Sequence, residues 1–223
     1  MFRVNTPMFK ELRVCIFLML VVLYWQYRTI RRERYIECTN TNTIKESIKN
    51  AFIMFLLIEL IVFGSLFWAY FHYSLTETWP PIGISKCDYK RLPLINTCLL
   101  LTSALSLTAY HEYIIVKNNN RFIRVIFLKS TTLLGLIFIW IQYTEYKSHL
   151  SFRISDGIYG RIFYSLTGFH GSHVGIGIVI LLAASNLNKY AVYNSHIGII
   201  ASIWYWHFVD VIWLLLFIFV YMY

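Results

Sequence analysis

Residues 51–75, AFIMFLLIELIVFGSLFWAYFHYSL, carry a single carboxylate, Glu59, and no proline. A run of this kind can do little except cross a membrane as one helix. About 20 residues at 1.5 Å each cover ~30 Å of hydrocarbon, and there every backbone N–H must be paired inside its own segment. Four more such runs follow, at 94–116, 122–146, 157–187 and 197–223. A shorter one at 14–27 makes a marginal span only when Leu12 and Ile30 are included, giving 12–30. The pattern predicts an all-α fold, a polytopic transmembrane helix bundle of about six spans. The run at 157–187 is longer than a bilayer needs, so it must tilt or protrude.

The rest of the chain leaves no room for a soluble domain. Only 14% of its residues are charged, against about 25% in soluble proteins. All four prolines, Pro7, Pro80, Pro81 and Pro93, lie outside the runs, where a lost backbone hydrogen bond is tolerable. The longest polar stretch, 28–50, cannot bury a core, so residues 1–223 read as a single membrane domain. The net charge of +9 is placed mostly in short connectors, where it reports orientation and lipid headgroups rather than nucleic acid. Arg28, Arg31, Arg32, Arg34, Lys45 and Lys49 lean weakly toward the inner side. Cys15, Cys38, Cys87 and Cys98 form no C-x-x-C and no zinc spacing, and read as unpaired.

Ionisable groups inside spans are costly and need a reason. Glu59 has apolar neighbours on both sides. His207 and Asp210 are three apart, so they share a helix face and are expected to hydrogen-bond. Gln142 and Glu145 are also three apart, near the end of their span. His170 and His173 repeat the spacing within Gly168-Phe-His-Gly171-Ser-His-Val-Gly175. A second reading stands beside each. Glu59 is then a neutral carboxyl, and the His207/Asp210 pair is a packing clip. His170 and His173 could hold a metal or haem, but two ligands fall short of a closed site. Gly168, Gly171, Gly175 and Gly177 instead suggest a close helix approach, with Gly171-x-x-x-Gly175 at its spacing, bridged by the histidines. Ser155-Asp156-Gly157 predicts a cap for the free N–H groups of the span that follows. Trp79-Pro-Pro-Ile-Gly83 predicts a rigid turn at the membrane surface. The chain contains no P-loop, dinucleotide fingerprint, H-E-x-x-H or nucleophile elbow.

Six motifs, in order, resemble subunit III of cytochrome c oxidase, the haem–copper terminal oxidase. They are Glu59 with Phe67-Trp-Ala-Tyr-Phe-His72, Trp79-Pro-Pro-Ile-Gly-Ile84, Pro93-Leu-Ile-Asn-Thr97 and Gln142-Tyr-Thr-Glu-Tyr146. The last two are Ile154-Ser-Asp-Gly-Ile-Tyr-Gly160 with Thr167-Gly-Phe-His-Gly171 and His173-Val174, and Trp204-Tyr-Trp-His-Phe-Val-Asp-Val-Ile-Trp213. The resemblance implies an accessory subunit with no catalytic centre, metal or redox cofactor of its own. Haem a and copper would lie in partner subunits I and II, with further accessory subunits around them. It also implies bound phospholipid of the cardiolipin, phosphatidylethanolamine or phosphatidylglycerol type, held near Arg28, Arg32, Glu33, Trp68, His72 and Lys189. Support of proton uptake is implied too, with Glu59, Glu145, His207 and Asp210 as intramembrane proton or structural groups.

The chain departs from that family in four places. Its residues 12–30 match the family's second helix, so the usual first of seven is expected to be supplied by another chain. Thr39 and Asn40 replace a common His-His pair. Asn186 lies where a lipid-binding arginine is usual, with Lys189 nearby as a substitute. His196 matches a family histidine, but Ile200 replaces a glutamate. Two other function classes stay open on the residues alone: a proton-coupled transporter built on Glu59, His207 and Asp210, and a haem protein using His170 and His173. The Ile, Asn, Lys and Tyr richness and the lack of an Arg-rich presequence suggest an organelle-encoded chain of the mitochondrial inner membrane.

Overall fold

A computed structural model of the chain describes residues 42–75, 79, 81, 84, 88–115, 121–148, 150, 152–187 and 197–222. The expected span at 12–30 lies outside them, as do Arg28, Arg32, Glu33 and Lys189. The chain divides into two compact units, Met1–Ile48 and Lys49–Tyr223. The first is described only over 42–48, the opening turns of a helix. The second holds the bundle.

Five α-helices are described: α1 Asn42–Ser74, α2 Leu92–Ile115, α3 Arg121–Ser148, α4 Gly157–Leu187 and α5 Ile197–Leu216. A six-residue π-helical turn, Phe217–Met222, continues α5. All five are long and apolar enough to cross a membrane. The protein is therefore a multi-pass helical membrane protein. Helix α1 starts well before residue 51, because the polar stretch ahead of the apolar run is helical from Asn42. Pro93 sits in the first turn of α2, where its missing N–H would have had no partner in any case.

Helices α2 to α5 pack about two tryptophans of α5. Trp206 is fully buried and donates its indole N–H to Ser103 Oγ on α2 at 2.9 Å. Two turns on, Trp213 donates to Thr97 Oγ1 at 3.0 Å, and its ring lies 4.8 Å from Phe138 on α3. Side chains that bond across helices leave no buried donor for lipid to neglect. The same logic places Ser106 against Thr131 at 2.7 Å and Tyr146 against Thr167 at 2.6 Å.

Of the four α4 glycines that suggest a close approach, only Gly177 makes one within this chain. A Cβ added to Gly168, Gly171 or Gly175 meets nothing within 4 Å, whereas one at Gly135 falls 2.6 Å from Trp206 Cη2 and one at Gly177 falls 3.0 Å from Cε3. The tight contact is an indole laid between Gly135 of α3 and Gly177 of α4, so the expected approach forms at Gly177 and not, within this chain, at Gly168, Gly171 or Gly175. Gly135→Ala should therefore destabilise by about 1–3 kcal/mol through overpacking. Gly175→Ala, by contrast, should be neutral or gain up to about 1 kcal/mol from helix propensity. SDS-unfolding midpoints of the two variants decide between the assignments, and equal effects would refute this one.

The expected helix cap is also replaced. Asp156 Oδ2 accepts the backbone N–H of Arg153 at 2.7 Å, upstream of α4 rather than in its first turn. Its backbone N–H closes the same turn on Arg153 O at 3.0 Å. Gly157 then enters α4 with φ of 73°, a conformation that favours glycine. The motif builds the turn before the helix.

Candidate functional site

Helix α1 meets α4 and α5 along one narrow stripe. Phe63, Phe67 and Tyr70 are its buried residues, spaced by four and three as one helical face requires. Glu59 is the next member of that stripe toward the start of the helix. Phe63 fills the joint, with ring centroids 5.0 Å from Phe169 and 5.2 Å from His173 on α4, and 6.3 Å from Phe208 on α5.

Directly beside this aromatic plug, His173 Nε2 lies 3.1 Å from Glu59 Oε2. The other ring nitrogen, Nδ1, lies 2.9 Å from the Phe169 carbonyl oxygen. A carbonyl can only accept, so Nδ1 carries a hydrogen. The Nε2···Oε2 contact then holds one proton, either on the carboxyl with a neutral imidazole or on an imidazolium facing a carboxylate. The side chains are 6% exposed for His173 and 21% for Glu59. The pair therefore has one nearly dry member and one that opens toward the surface of the bundle.

The histidine pairing suggested by spacing does not form. His170 is fully buried and turns the other way, with its ring 5.7 Å from Phe138 and 5.1 Å from Trp213. Neither of its nitrogens has a hydrogen-bond partner, so it does not bridge helices as expected. The two imidazoles do not converge on one ligand position, and no group of three or more His, Cys, Asp or Glu side chains gathers among the described residues.

The third sequence pair is looser than its spacing implies. His207 Nδ1 is 3.8 Å from Asp210 Oδ2, a charge contact too long for the expected hydrogen bond. Both Asp210 oxygens are buried without a hydrogen-bond partner.

Glu145 belongs to a separate network that sequence spacing only half reveals. Gln142 Nε2 donates to Glu145 Oε2 at 2.9 Å and, at 3.3 Å, to Tyr221 Oη. Asn96 Nδ2 donates to Gln142 Oε1 at 3.1 Å. Tyr221 reaches this point from the π-helical turn, where it is buried with Phe217 and Val220. Trp68 and His72, one turn apart near the end of α1, are both exposed on its outer side, Trp68 by 74%.

The model of the family described as cytochrome c oxidase subunit III matches residues 1–223. The chain belongs to the cytochrome c oxidase subunit III family. It is similar to cytochrome c oxidase subunit 3 of Allomyces macrogynus, 40% identical over 209 residues, which cover 90% of this chain and 74% of that protein. The subunit 3 of Neotragus moschatus is 38% identical over 210 residues, covering 91% of this chain and 79% of the relative. That of Dugong dugon is 37% identical with the same coverage. The subunit III chain is thus a component of an oxidoreductase complex, and its intramembrane carboxyls and histidines are read in that setting.

Proposed function

We propose that this subunit III serves its oxidase as an accessory, lipid-holding and proton-handling flank, without redox chemistry of its own. The observation that carries the reading is the Glu59–His173 contact at 3.1 Å. It keeps one proton at mid-span, on a pair whose outer member is 21% exposed. Ionisable groups held inside a membrane span mark proton relays in many membrane proteins, and a pair that shares one proton is suited to that role. The pair supports proton uptake while subunits I and II, with their haem a and copper, pass electrons from cytochrome c to oxygen.

Phospholipid fits the outer side of α1. Trp68 places an indole, the side chain favoured at the membrane–water boundary, one turn from the exposed imidazole of His72. Together they offer an apolar ring for acyl chains and a hydrogen-bonding group for a phosphate. The location that suits these roles is the mitochondrial inner membrane, with the chain encoded in the organelle.

Glu59→Gln keeps a hydrogen bond to His173, because the carboxamide donates to Nε2, but it removes the exchangeable proton. In the assembled oxidase it is expected to leave the haem spectrum intact and to lower proton uptake and sustained turnover, measured in reconstituted vesicles. Unchanged pumping and turnover would remove the proton role and leave Glu59 as a helix clip.

A further inference from the structure

His170, His207 and Asp210 all lack hydrogen bonds among the described residues, and of the three only His207 is partly exposed. It stands near the middle of the last span, Gly198–Met222, yet its side chain is 39% exposed. Its Nδ1 turns inward toward Asp210, whose own side chain is 7% exposed. His207 Nε2 has no hydrogen bond among the described residues, on a side chain more than a third exposed. The rest of this face of α5 is apolar. Trp204, Val211, Leu214 and Ile218 share it at spacings of three and four, with Val211 54% and Ile218 49% exposed.

Lipid does not satisfy such a spot. Headgroups do not reach mid-span, and acyl chains offer an imidazole nitrogen no bond. A second helix does, because polar side chains in membranes pair across helix contacts. We propose that the Trp204–His207–Val211–Leu214–Ile218 face of α5 seats a transmembrane helix of another oxidase subunit, and that this helix presents a hydroxyl or carboxamide to His207 Nε2. Those two groups can donate or accept, so they suit whichever state the imidazole takes. A carboxylate is disfavoured, since Asp210 already places one beside the ring. The inference rests on membership of the oxidase and adds which face meets a partner, and through what chemistry.

The test uses the purified, assembled oxidase. A photoactivatable benzoylphenylalanine replaces Val211, one turn from His207, and the same probe at Leu133 of α3, 58% exposed, serves for comparison. The expected result is a cross-link from position 211 to one transmembrane segment of an identified partner subunit, close to a Ser, Thr, Asn or Gln. In parallel, His207→Leu should lower retention of the chain in rising detergent by roughly threefold or more, the scale of one interhelical hydrogen bond, and His207→Gln should restore it. Cross-linking to lipid alone, or to a second copy of this chain, would overturn the inference while leaving oxidase membership standing. Retention of His207→Leu equal to that of the unaltered chain would do the same. Failure of the chain to co-purify with a haem–copper subunit would overturn both.

Discussion

Trp206→Ala is expected to cost about 3–5 kcal/mol, the range for removing a fully buried large aromatic side chain. The indole is 0% exposed and occupies the centre of the α2–α5 bundle, between the bare backbones at Gly135 and Gly177. The two glycines have no side chains of their own to fill the space, so a large cavity term is expected. The lost hydrogen bond is the smaller part. Ser103 Oγ keeps its donation to Leu100 O at 2.7 Å, so Trp206→Phe, which retains most of the ring volume, should lose only about 1 kcal/mol. A coupled result follows: Gly135→Ala, damaging chiefly against the indole, should cost much less once Trp206 is alanine, with Ile178 at 3.2 Å the contact that remains. The two changes are then strongly non-additive. SDS-unfolding midpoints read by circular dichroism, with the level of the chain in membranes as a second readout, test the set. Additive effects would mean that Trp206 and Gly135 do not share a contact.

The helices were legible because hydrocarbon leaves the backbone no alternative. A run like 51–75 must be helical whatever packs against it, so span positions follow from hydropathy alone. The faces of those helices were harder to read. Gly168, Gly171 and Gly175 have the spacing of a close contact, but spacing does not say what lies opposite, and they face open space while Gly177 meets the indole. His170 and His173 show the same limit. Three residues apart on α4, they share a side in projection, yet the pitch of the helix turns His173 toward Glu59 of α1 and His170 toward Phe138 and Trp213. Glu59 itself was legible as a costly group. Its partner was not, because a bond spanning 114 residues leaves no local trace in the chain.

Asp156 shows the opposite error. A Ser-Asp-Gly ahead of an apolar run is the usual sequence sign of an N-cap. Here the carboxylate is spent on Arg153 N, in a tight turn that the Gly157 φ of 73° allows. The residue types were right for ordering the entry to α4, and only coordinates distinguish a cap inside the helix from a turn before it.

Gln142→Leu is expected to cost about 2–4 kcal/mol, because each buried polar group that loses its partner pays about 1–3 kcal/mol of desolvation. Gln142 is the hub of its network. It accepts from Asn96 on α2 and donates to Glu145 on α3 and to Tyr221 in the π-helical turn. The leucine fills a similar volume, so a cavity does not explain the loss. The largest share should fall on Asn96, which is fully buried and whose Oδ1 already lacks a partner. Without Gln142 both ends of its carboxamide are stranded. Asn96→Leu combined with Gln142→Leu should therefore recover much of the stability, since replacing both partners by apolar groups is far less costly than removing one. The π-helical turn gives a local readout. It widens the chain after Leu216 so that Phe217, Val220 and Tyr221 all face inward, and the bonds from Tyr221 to Gln142 and Glu145, 3.3 and 3.4 Å, help anchor that register. Faster amide exchange at residues 217–222 in Gln142→Leu, with exchange in the middle of α5 unchanged, would show that the hub holds the turn. Equal exchange at residues 217–222 in Gln142→Leu and in the unaltered chain would assign the π register to the packing of Phe217 and Val220 alone.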